Sequence, residues 1–79
     1  MNFTADLLEE MEILCHYNLA TTQEGVKVHR TLAPAAAVAA AQRLHDKGLI
    51  TQPDGGYLTS LGLETAAHAQ ALLAVLRVA

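Results

Sequence analysis

The sequence predicts a mainly helical fold class with one small β-hairpin, and three observations carry that prediction. Fifteen alanines and thirteen leucines stand against one Phe, two Tyr and no Trp, a balance that favours helix over sheet. Apolar residues recur at helical spacing near both ends of the chain. A single Pro-Asp-Gly-Gly cluster at residues 53–56 lies between two short runs suited to strands. Seventy-nine residues make one domain, 1–79, and a hydrophobic content of 52% against 16% charged excludes a disordered chain.

The first helix is expected from about Thr4 to Asn18, with Thr4 as N-cap and Asp6 in the first turn, where the helix dipole favours an anion. Leu7, Leu8, Met11, Leu14 and Cys15 form one stripe, expected to face the core, and Glu9, Glu10 and Glu12 lie off it as solvated residues. Ile13 and Tyr17, four apart, form a second patch with no use inside a small monomer. Thr21-Thr22-Gln23-Glu24 fits a capping box. It opens either a short helix to about His29 or, because Gly25, Val26 and Val28 disfavour helix, a strand over 25–29.

A longer helix is expected over about 34–47, begun by Pro34 and stopped by Gly48-Leu49. Ala37, Val38, Ala40, Ala41, Leu44 and His45 share its inner side. The hairpin covers about 49–59, with Pro53 and Asp54 in the turn and Gly55 as its left-handed residue. The last helix, about 60–78, is capped by Thr59 and apolar nearly all round. Leu61, Ala66, Ala69, Leu72, Leu73 and Leu76 make the face expected to meet the core. Leu63, Ala67, Ala71, Ala74, Val75 and Val78 make a second face that one small core cannot cover. A homodimer follows as the expectation, its interface built from that second face together with Ile13 and Tyr17.

Chemistry for catalysis is thin. Cys15 sits in an apolar stripe, where a thiol is ordinarily inert packing, and His16 beside it points about 100° away on the helix. His29, His45 and His68 show no metal-ligand spacing, and His45, at the edge of the inner side of its helix, is expected to be a hydrogen-bonded packing residue. Asp54-Gly55-Gly56 lacks the Lys of a phosphate loop. No enzyme, no metal and no cofactor is expected. The longest unbroken apolar run, Leu32–Ala41, is half of what a membrane span needs, so no membrane partner is expected either. With one cysteine and no signal peptide, a reducing cytoplasm is the expected compartment.

The net charge of −3 is uneven. Residues 1–24 carry five acids and no Lys or Arg, whereas residues 25–50 carry Lys27, Arg30, Arg43 and Lys47 against Asp46 alone. Such a block can mark a face for an anionic partner.

The stretch Arg43-Leu44-His45-Asp46-Lys47-Gly48-Leu49-Ile50, followed by Asp54-Gly55-Gly56-Tyr57-Leu58-Thr59 and Leu61-Gly62, resembles the third helix, wing and helix start of bacterial winged helix-turn-helix regulators. Their common line reads L-x-x-K-G-L-I … D-G-x-Y-x-L-T-x-x-G; here Tyr57 and Leu58 are adjacent, one residue shorter. The whole chain is also similar to an uncharacterised family of short bacterial proteins. The resemblance implies a winged-helix domain with a C-terminal dimerisation helix. It also implies a transcription-regulatory role through contact with double-stranded DNA by Lys27, His29, Arg30, Gln42, Arg43 and Lys47. Against it, the leading positions of the third helix are Ala35, Ala36 and Ala39, and the wing tip carries Asp54 instead of a base. The alternative is a protein–protein interaction module on the same scaffold.

Overall fold

The computed structural model of the chain describes residues 2–21, 25–27 and 34–78, without the side chain of Lys27. Three helices and a small sheet follow in the order α1 (Ala5–Cys15), β1 (Val26–Lys27), α2 (Ala35–Asp46), β2 (Ile50–Gln52), β3 (Gly55–Leu58) and α3 (Ser60–Leu76). This arrangement is mainly helical with an antiparallel hairpin between helices and is compatible with a winged helix. None of these helices is long and apolar enough to cross a membrane.

Local sequence rules set the element ends. Thr4 caps α1, its Oγ1 accepting from the Leu7 amide at 3.2 Å. Asn18 makes a tight turn after α1, its Oδ1 accepting from the Ala20 amide at 2.9 Å. At the end of α2 the Gly48 and Leu49 amides donate to the carbonyls of His45 and Leu44, both at 3.0 Å, which is the Schellman closure that Gly48-Leu49 predicts. Thr59 caps α3 by accepting from the Gly62 amide at 3.0 Å, and its hydroxyl donates to the Gly48 carbonyl at 2.6 Å. One side chain thus fastens the start of α3 to the end of α2.

The hairpin turns at Pro53-Asp54, with an irregularity in register between Ile50 and Gln52. Gly55 and Gly56 both have positive φ, 128° and 76°. A Cβ on Gly56 would stand 2.5 Å from Thr51 Oγ1, so this position excludes other residues on two grounds. The strand alternative for residues 25–29 holds at β1, where Val26 pairs with Gly56 and Lys27 with Gly55 to complete a sheet of order β1-β3-β2. The Thr22–Glu24 part of the capping box, with His29 and Arg30, lies outside the described residues.

The core gathers Ile13, Leu14 and Tyr17 of α1, Ala40, Ala41 and Leu44 of α2, Ile50 of β2, and Ala66 and Ala69 of α3. The alanines admit close helix approach, while Leu44 and Ile50 each contribute about 1.5–3 kcal/mol by burial. The inner side expected for α2 is correct. The expected orientation of α1 is not. Its buried face is Glu10, Ile13, Leu14 and Tyr17, about a quarter turn of the helix away from the Leu7–Cys15 stripe. Leu7 and Leu8 stand exposed. The buried face joins Ile13, Leu14 and Tyr17 to the core and sets Glu10 against the two cations of α2.

Ile13 and Tyr17 are therefore core residues and not a dimer surface. Tyr17 is buried, and its hydroxyl donates to the Gly56 carbonyl at 3.0 Å, joining α1 to β3. Burial pushes its phenol pKa up. The core face of α3 matches expectation only in part: Ala66 and Ala69 are buried as expected and Gly62 with them, whereas Leu61, Leu72 and Leu76 are exposed. Small residues won because α3 packs so closely: a Cβ on Gly62 would overlap the Leu49 carbonyl oxygen.

Candidate functional site

Two surfaces concentrate the residues singled out by sequence, and each is built by a helix pair. The first lies at the α1/α2 junction. Arg43 and Lys47, one turn apart on α2, both reach Glu10 of α1. The Arg43 Nε donates to Glu10 Oε2 at 3.0 Å, and Lys47 Nζ donates to Glu10 Oε1. Arg43 Nη2 donates to the Asp6 carbonyl at 3.1 Å and lies 3.9 Å from the Asp6 carboxylate. Burial alone would raise the Glu10 pKa, but the hydrogen bonds and charges of Lys47 and Arg43 outweigh it, and the carboxyl is held below its ordinary 4.5.

Of the six residues expected at DNA, the three whose side chains are described each have an acid as partner. Arg43 and Lys47 are engaged with acids of α1, and the Gln42 Nε2 donates to Asp46 Oδ1 at 3.0 Å. Lys27 is placed in β1 by its backbone, and its side chain, with His29 and Arg30, lies outside the described residues. Between α2 and the hairpin turn runs a cleft of about 380 Å³ lined by Ala35, Val38, Ala39, Gln42, Pro53 and Asp54. Its lining is largely apolar, with the Gln42 amide and the Asp54 carboxylate, and among the described residues it carries no base.

The second surface is the α1/α3 junction. A groove of about 370 Å³ is lined by Leu8, Met11 and Cys15 of α1 and by Ala69, Leu72, Leu73 and Leu76 of α3, with Glu12 on its edge. The Gln70 Nε2 of α3 donates to the Leu14 carbonyl at 3.1 Å and the Tyr17 carbonyl at 2.8 Å, tying α3 to the end of α1. Of the residues expected at a dimer interface, Leu63, Ala67, Ala71, Ala74, Val75 and Val78 are exposed on α3 and just beyond it. Apolar spacing does not reveal the groove, because it assigns Leu8, Met11, Leu72 and Leu76 to the core.

Cys15 borders the groove, and its thiol pKa is raised by burial and by Glu12, with Arg77 opposing. A thiol so held is protonated at neutral pH and a poor nucleophile. His45, expected as a hydrogen-bonded packing residue, has a buried Nδ1 with no hydrogen-bond partner. Among the described residues, no three His, Cys, Asp or Glu side chains converge as metal ligands would.

Glu10 and Gln70 are the residues that sequence reasoning missed. A signal for Glu10 existed: Glu10, Ile13, Leu14 and Tyr17 follow i, i+3, i+4, i+7, a complete stripe with one charged member. Arg43 and Lys47, four apart on α2, are the matching clue. Gln70 had no such signal, since its partners are backbone carbonyls more than fifty residues away.

Residues 1–77 match the sequence model of a family of unknown function, DUF5669, and the chain belongs to that family. Neither the curated proteins nor the solved structures yielded a match to this chain.

Proposed function

We propose that this member of an uncharacterised family is a small interaction module, not an enzyme, which uses its winged-helix-like scaffold to bind protein and not DNA. The observation that carries the reading is the shared carboxylate of Glu10. Arg43 and Lys47 already neutralise a nearly buried anion, so a phosphate at this junction would have to share them with Glu10 and Asp6. The alanine face of α2 supports the same conclusion, since Ala35 and Ala39 offer a phosphate neither donor nor positive charge. The low-reactivity Cys15 thiol supports the non-catalytic part of the proposal.

The competing reading is a DNA-binding regulator, which rests on the basic block over residues 25–50 and on the motif likeness of residues 43–62. A titration of labelled random-sequence duplex at about 50 and 200 mM salt separates the two. No saturable binding at micromolar protein in the lower salt is expected. Binding that saturates there, weakens steeply at the higher salt and is reduced by Arg30→Ala would overturn the proposal. In that case the salt slope should fall by about one unit for each phosphate that the variant can no longer neutralise.

A further inference from the structure

We draw no further inference here: the strongest candidate, the apolar groove between α1 and α3 walled by Leu8, Met11, Leu72 and Leu76, is an unpartnered face, and nothing in the structure shows what covers it.

Discussion

Glu10 is the residue on which the α1/α2 junction turns, and its chemistry is asymmetric. Removing the acid leaves two cations that still reach water, since Arg43 and Lys47 side chains are 30% and 49% exposed. Removing both cations instead leaves a carboxylate only 6% exposed with no counter-charge. Glu10→Gln should therefore cost about 1–2 kcal/mol, and the double change Arg43→Met with Lys47→Met should cost more, about 3–5 kcal/mol, in urea denaturation at pH 7. The pH dependence has a definite sign. The folded carboxyl has a pKa below 4.5, so its stabilisation is fully present above that value and is lost as pH falls through the lower folded value. The stability difference between the parent and Glu10→Gln should be constant from pH 7 to about 5 and shrink below about 4.5. A difference that grows on acidification would show that the ion pairs do not control the carboxyl. This acid was legible only in retrospect, because a glutamate on a short helix is ordinarily solvated and nothing within α1 reveals two cations more than thirty residues away.

Helix junctions show where small residues are obligatory. Gly62 lets α3 rest on the Leu49 carbonyl, and a methyl there collides with backbone that Thr59 and the Schellman turn hold from both sides. Gly62→Ala should lower stability by at least about 1–3 kcal/mol although alanine is the better helix former. A variant as stable as the parent in thermal denaturation would mean that α3 can shift freely. The turn makes a parallel demand: Gly55→Val must place a β-branched residue at positive φ and should cost about 1–2 kcal/mol. Gln70→Leu keeps the bulk but strips donors from two carbonyls at the end of α1, and about 1–3 kcal/mol is the expected loss. Caps and stops at these junctions were readable from sequence, since Thr4, Thr59 and Gly48-Leu49 act within a few residues of themselves. The rotation of α1 and the inward face of α3 were not, since both depend on which neighbour approaches and how closely.

For the chain as a whole, a small alanine-rich core lies beside a broad exposed leucine surface, and whether stability depends on assembly can be measured. If two copies fold and dock together, the unfolding midpoint rises with concentration, and each tenfold increase adds about 1.4 kcal/mol. The homodimer expected from the sequence predicts that shift in calorimetry at about 10 and 100 μM, and a midpoint that does not move means a fold that stands alone. The same experiment measures how far this fold depends on assembly, as is common for domains of fewer than about 80 residues.

The kinds of element, their order and most of their ends were written in local composition: alanine and leucine at helical spacing, threonine caps, a glycine stop and a Pro-Asp-Gly-Gly turn. Each of these acts over a few residues and carries its meaning in any context. Which helix face is core, which bases are counter-ions and which leucines stand exposed was settled in three dimensions. An apolar stripe specifies that something must cover it but not what. In α1 the buried face holds Glu10 against Arg43 and Lys47, and in α3 glycine and alanine fit against the rest of the fold, so Leu7, Leu8, Leu61, Leu72 and Leu76 stand exposed.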